Sequence, residues 1–118
     1  MPGCVLRAAG PSFTPSDFVA RFPVAYVITR GNALNIPISD RDGDEFDGQV
    51  ADAIEYLKVH EEVIRVLLSQ TGIRANLDFG VWNKEEWSQN CHFPKELVKL
   101  AGALNLGLEI SMYGAQQD

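Results

Sequence analysis

The chain has 118 residues, of which 46% are hydrophobic and 22% are charged, as in an ordinary globular domain. Ten Lys and Arg residues against sixteen Asp and Glu residues give a formal net charge of -6. Because nucleic acids and anionic membranes attract basic surfaces, this balance argues against both as partners and favours a basic protein partner.

The absence of a recognisable targeting signal and the low number of cysteines both indicate a cytoplasmic protein. The N-terminal residues hold no cationic, long apolar or cleavable stretch, and no apolar run reaches the ~18 residues of a membrane span. Two cysteines are too few for a disulfide framework, so we expect two reduced thiols, with Cys4 buried in a strand and Cys91 in a loop. We therefore expect one cytoplasmic domain over 1–118, with its ordered core over about 4–113.

Apolar periodicity and turn signals predict five strands and three helices. In chain order these are a strand over 4–9, a helix over 15–22, strands over 24–30 and 33–38, a helix over 48–70, a strand over 74–82, a helix over 94–105 and a strand over 108–113. This β-α-β-β-α-β-α-β order predicts an α+β domain with one mostly antiparallel sheet of about five strands and helices largely on one face. Its first six elements follow the ferredoxin-like βαββαβ order.

Local signals mark the ends of the first elements. Thr14 is a helix N-cap, and Phe13 and Phe18 occupy the two positions of a hydrophobic staple. Pro37 places the strand over 33–38 at a sheet edge or makes it irregular, because proline cannot donate a backbone hydrogen bond.

The longest predicted element is a helix of about six turns over 48–70. Asp47 is its N-cap, and Gly72 and Ile73 form a Schellman pattern at its end. One face carries an apolar stripe whose members are Val50, Ile54, Leu57, Ile64 and Leu68. Glu61 falls in the middle of that stripe and His60 on its margin.

The same helix carries a second apolar stripe on its opposite side. Its members are Tyr56, Val59, Val63 and Val66. Either the helix over 94–105 or a loop covers it, or it is an exposed patch for a partner or for self-association. Trp87 is a further candidate for an interface anchor, because tryptophan is enriched at binding hot spots.

An acidic loop precedes this helix. Asp40, Asp42 and Asp44 alternate as the first ligands of a calcium loop do. The match then ends, because Glu45 stands at the sixth position, which requires glycine, and Ala51 at the twelfth, which requires glutamate. The two readings are a calcium site outside an EF-hand and a solvated loop whose carboxylates favour the following helix N-terminus.

No catalytic or cofactor motif is present. Glycine-rich phosphate loops, HExxH and GxSxG do not occur. Glu61 beside His60 is a weak pattern for an acid–base pair, and the favoured reading is that Glu61 lies beyond the edge of the sheet or pairs with a basic group. Cys91 and His92 lack the third, orienting group of a nucleophilic site. We therefore expect no catalytic residues, no cofactor and no enzyme activity.

Five runs carry a resemblance to known proteins: 77–80, 93–97, 100–101 and 108–113 in the C-terminal half, and 48–54 in the middle of the chain. Together they resemble a family of small bacterial domains of unknown function, and the resemblance covers most of the chain, from Cys4 to Tyr113. It implies a stand-alone bacterial protein without an established activity, and by analogy a toxin-immunity protein. The expectation that follows is a non-enzymatic protein-binding domain, with a small-ligand or calcium-binding domain as the alternative.

Overall fold

Five strands form one sheet in the computed structural model, which describes residues 3–84 and 87–114. They are β1 (Gly3–Ala9), β2 (Val27–Arg30), β3 (Ala33–Ser39), β4 (Arg74–Trp82) and β5 (Gly107–Tyr113). Their order across the sheet is β2-β3-β1-β4-β5. The pairs β2–β3, β3–β1 and β1–β4 are antiparallel. β5 is parallel to β4, because a helix between them returns the chain to the end of the sheet where β4 begins.

Four helices accompany the sheet in the described part of the chain. They are α1 (Pro15–Arg21), α2 (Phe46–Val59), α3 (Glu61–Leu68) and α4 (Lys95–Ala103). Buried side chains of all four belong to the same cluster as those of the strands. The helices therefore share one face of the sheet. The predicted α+β class and the mostly antiparallel five-stranded sheet are confirmed.

The core follows from the alternation of side chains along the central strands. Leu6 of β1 lies opposite Leu77 of β4, and both are fully buried. Phe79 is also fully buried and contacts the rings of Phe46 and Phe93, with centroids 5.7 and 5.3 Å away. This aromatic group fixes the start of α2 and the loop before α4 against the sheet.

The first elements agree with their local signals. The rings of Phe13 and Phe18 lie 6.3 Å apart, as the hydrophobic staple predicts. Thr14 is the N-cap residue of α1, but its side chain makes no capping hydrogen bond. Pro37 lies directly before a register irregularity between β3 and β1, and it is beyond the residues that pair with β2.

The single long helix predicted over 48–70 is wrong, because the chain forms two helices that break at His60. His60 has φ -108° and ψ 24°, which is outside the helical region. No hydrogen bond in this described region joins the N–H groups of residues 61–63 to the carbonyls of residues 57–59. The break lets both apolar stripes reach the core, which a straight helix on one sheet face cannot achieve.

Both predicted ends of that helix also change. Glu45, not Asp47, is the N-cap residue of α2, and Asp47 lies in the first turn. α3 ends at Leu68, so Gly72 is too distant for a Schellman motif. Gly72 does have a positive φ of 73°, within a turn in which Ile73 N–H donates to the Gln70 carbonyl.

Candidate interaction surface

Negative charge is concentrated in one segment of the chain. Residues 40–62, which we call the acidic segment, contain nine of the sixteen acidic residues and two basic ones. The segment runs from the loop after β3, through α2, to the first turn of α3. Eight of its nine acidic residues are exposed, and Asp52 is half-buried. Nine acidic against two basic residues give this segment a formal charge of -7, which exceeds the -6 of the whole chain.

A buried glutamine holds the loop at the start of the acidic segment. Gln49 is fully buried on α2, and its Nε2 approaches the carbonyl oxygens of Arg41, Asp42 and Gly80 at 3.2, 3.1 and 2.8 Å. Its Oε1 has no hydrogen-bond partner among the described residues. Because Gly80 belongs to β4, the amide group connects the loop to the sheet.

A second contact joins the same loop to the end of β4. The Trp82 indole Nε1 donates to Asp42 Oδ1 at 2.9 Å, and the Gly43 N–H donates to the same oxygen at 2.7 Å. A Cβ atom at position 43 would lie 2.8 Å from the Trp82 backbone nitrogen, so only glycine allows this approach. The loop is therefore held in one conformation by the sheet.

Asp52 is the best-bonded carboxylate of the acidic segment. It accepts hydrogen bonds from Ser39 Oγ at 2.7 Å and from Arg41 Nε at 2.9 Å. The Ser39 hydrogen bond, followed by the Arg41 bond and charge, lowers the pKa of Asp52 below its ordinary value. Arg41 Nη1 also lies 3.6 Å from Glu45 Oε2, and Lys58 Nζ lies 3.1 Å from Glu96 Oε2, so both basic groups of the segment are already paired.

A cleft opens between β3 and the second half of α2. Its volume is about 270 Å³, and it is lined by Ile38, Asp52, Glu55, Tyr56, Val59 and His60. The rings of Tyr56 and His60 are 4.2 Å apart at a 33° angle. Among the described residues Glu55 forms no ion pair. The cleft thus combines apolar, aromatic and carboxylate groups within the acidic segment.

The predicted calcium ligands lie in the anchored loop. Asp40, Asp42 and Asp44 are all exposed, and the Asp42 carboxylate is engaged by Trp82 and Gly43. Within residues 3–84 and 87–114, no three His, Cys, Asp or Glu side chains are grouped as a metal site requires. Calcium binding by these residues stays a prediction.

The predicted partner-binding residues have different environments. Tyr56, Val63 and Val66 are half-buried and pack against the core, whereas Val59 is 68% exposed. Trp87 is fully exposed in the loop before α4. The second stripe is therefore not one continuous exposed patch, and binding by these residues stays a prediction.

The two weak catalytic patterns are Glu61 with His60 and Cys91 with His92. His60 lines the cleft, whereas the other three residues are not among those that line it. Glu61 is exposed at the start of α3, and its Oε2 lies 3.2 Å from Arg65 Nε, so Glu61 pairs with a basic group outside the buried stripe. The cause is the break at His60, which makes Glu61 the first residue of a new helix. Cys91 is half-buried and His92 is exposed.

Sequence reasoning missed a polar group on the helix-free face of the sheet. Asp78 of β4 is 5% exposed, and its two oxygens accept bonds from Arg7 Nε at 3.0 Å and Ser111 Oγ at 2.7 Å. Side chains alternate along β4, so Asp78 lies on the other face of the sheet from Leu77 and Phe79. This alternation is the sequence signal that could have placed Asp78 on that face. Its partners depend on the register of β1 and β5, which the sequence alone does not reveal.

The comparisons with known proteins return no counterpart for this arrangement. No protein-family model matches the chain, and neither a curated protein nor a solved structure matches it significantly. The resemblance to small bacterial domains of unknown function therefore stays a prediction. Across residues 3–84 and 87–114, none of the helices has both the length and the apolar character needed to cross a membrane.

Proposed function

We propose that this chain is a non-enzymatic protein-binding domain of the cytoplasm that meets a basic partner through the acidic segment. The observation that carries the proposal is the concentration of negative charge in residues 40–62, which contain nine carboxylates and only two basic groups. Outside that segment, the chain has seven acidic and eight basic residues, so it is nearly neutral. A basic protein would meet the molecule on this side.

The anchoring of the acidic loop supports the same function. Gln49 and Trp82 attach the loop to the sheet, so its backbone and the Asp42 carboxylate are held before any partner arrives. A preorganised surface loses less conformational entropy on binding than a mobile one. Complementary charge also speeds association and makes it sensitive to salt.

An immunity-type role is a narrower form of this proposal. A protein that neutralises a basic toxin needs an acidic surface that docks rapidly, and the acidic segment has that character. The family resemblance in the sequence supports this form by analogy. Recovery of a toxin as the retained partner is the result that would establish it.

Retention of proteins on the immobilised chain at low and high salt tests the proposed function. We expect a basic protein from an extract of the source cells to be retained at low salt and released at high salt, because screening weakens exposed charge pairs. The control is a variant with Asp44→Asn, Asp47→Asn and Glu62→Gln, which is expected to lose most of this retention. If nothing is retained at low salt, or if the variant retains the same protein equally well, the proposal is wrong.

A further inference from the structure

The cleft between β3 and α2 has dimensions suited to one side chain. Its volume of about 270 Å³ is below the roughly 300–1,000 Å³ of pockets that enclose small-molecule ligands. It lies within the proposed binding surface, because five of its six lining residues belong to the acidic segment. A protruding side chain of a docked protein therefore fits the position and the size of the cleft better than a free metabolite does.

The walls of the cleft differ in chemistry. Ile38 and Val59 supply apolar surface, and Val59 is 68% exposed at the rim. Tyr56 is half-buried, and desolvation raises the pKa of its phenol. One side of the cleft can therefore cover an aliphatic chain, and the Tyr56 ring offers an aromatic surface beside it.

The other side of the cleft is polar and is formed by the carboxylates of Asp52 and Glu55. Asp52 is held in place by Ser39 and Arg41, and Glu55 has no ion-pair partner among the described residues. Arg41 offsets the charge of Asp52, so Glu55 is the carboxylate that repels an anionic side chain here, and a purely apolar side chain would leave Glu55 desolvated without a partner. A cation on an aliphatic stem satisfies both walls, because arginine and lysine bury their methylenes while the charged head meets carboxylates.

We propose that the cleft of Ile38, Asp52, Glu55, Tyr56, Val59 and His60 receives an arginine side chain of the basic partner. Its methylenes pack on Ile38 and Val59, and its guanidinium pairs with Glu55 beside the stacked rings of Tyr56 and His60. Arginine fits better than lysine because the planar guanidinium stacks on aromatic rings and bonds a carboxylate in a bidentate manner. This inference rests on the proposed function and names the partner group that it recognises.

Titration of the ¹⁵N-labelled full chain with N-acetyl-arginine methylamide tests the proposal without knowledge of the partner. We expect saturable shifts centred on the amides of Tyr56, Val59 and His60, with weak affinity because one side chain supplies little binding energy. The norleucine analogue should cause no saturable shifts, and the lysine analogue should bind several-fold more weakly than arginine.

Three variants distinguish recognition in the cleft from general attraction by a negative protein. Glu55→Gln and Tyr56→Leu should each weaken arginine binding about threefold or more, whereas Glu109→Gln, with the same loss of charge on the far face of the sheet, should leave it unchanged. Unchanged peak positions elsewhere in the spectra of the variants would show that each one folds.

Several results would overturn the proposal. These are equal shifts with norleucine, shifts confined to Asp44 and Asp47, lysine binding as tight as arginine binding, or an equal effect of Glu109→Gln. Failure of the cleft can be told apart from failure of the proposed function. If salt-sensitive retention of a basic protein persists while arginine does not enter the cleft, the acidic segment binds its partner elsewhere.

Discussion

At the scale of single residues, Gln49 has the largest structural role of any polar side chain in the acidic segment. Its replacement by Met keeps the volume but leaves the carbonyls of Arg41, Asp42 and Gly80 without this donor. We expect Gln49→Met to lower the free energy of unfolding by about 1–3 kcal/mol, the cost of unsatisfied buried polar groups. Urea unfolding measures this change.

The matched control for that variant is Gln70→Met. Gln70 is exposed, and its Nε2 bonds the Val66 carbonyl at 3.2 Å. Its replacement should change stability by no more than about 0.5 kcal/mol, as is usual for surface positions. Equal effects of the two substitutions would mean that the buried amide of Gln49 does not hold the loop.

The two cysteines should differ in reactivity. Cys4 is fully buried, and burial raises the pKa of its thiol, with a further increase from the carboxylates of Asp78 and Asp52. Because the thiolate is the reactive form, Cys4 should resist a thiol reagent at neutral pH, while half-buried Cys91 reacts. We expect one fast thiol in the native protein, two after unfolding, and none that reacts fast in Cys91→Ser. Two fast thiols in the native chain would contradict this burial.

At the scale of elements, the break between α2 and α3 makes a prediction for amide hydrogen exchange. The amides of Glu61, Glu62 and Val63 begin a new helix and lack the acceptors that a continuous helix would provide. They should exchange much faster than the Ile64 amide, which donates to the His60 carbonyl at 3.0 Å. Exchange rates from NMR spectroscopy measure this difference.

The Leu57 amide is the internal reference for that experiment, because Leu57 is buried within α2. Equal protection of residues 57 to 64 would indicate one uninterrupted helix, as the sequence pattern predicts. Slow exchange at residues 57 and 64 with fast exchange at residues 61–63 would establish the break in solution.

The break also shows where sequence patterning stops being informative. No glycine or proline lies near His60, so nothing in local propensity marks an end there. The available signals were the two apolar stripes and the pair Glu61 and Glu62, which suits the first turn of a helix. Tertiary packing decided the outcome, because the core covers Val63 and Val66 only if the helix axis changes.

At the scale of the whole molecule, the sheet was predictable in class and in most strand positions. β4 has the predicted bounds, and the ferredoxin-like order of the first six predicted elements agrees with the antiparallel arrangement β2-β3-β1-β4. The loop between β4 and α4 was placed correctly as well. Alternation and turn residues are local signals, which is why these features could be found without the structure.

The interaction surface was predictable only in part. The concentration of acidic residues in 40–62 is visible in the sequence, and so is the exposed character of the loop. The cleft is not, because it depends on Ile38 of β3 lying beside Tyr56 of α2, and no local pattern encodes that distance. The role of Gln49 was likewise hidden, since its acceptors come from the loop and from β4.

Carbodiimide cross-linking of the chain to its retained partner, followed by mass spectrometry, tests whether the partner docks on the acidic segment. The reagent joins carboxylates to lysines that touch them, so it identifies the carboxylates at the interface. We expect links from exposed carboxylates of the acidic segment, such as Asp44, Asp47, Glu55 and Glu62. Links confined to exposed carboxylates outside it, namely Asp17, Glu96 and Glu109, would contradict the account.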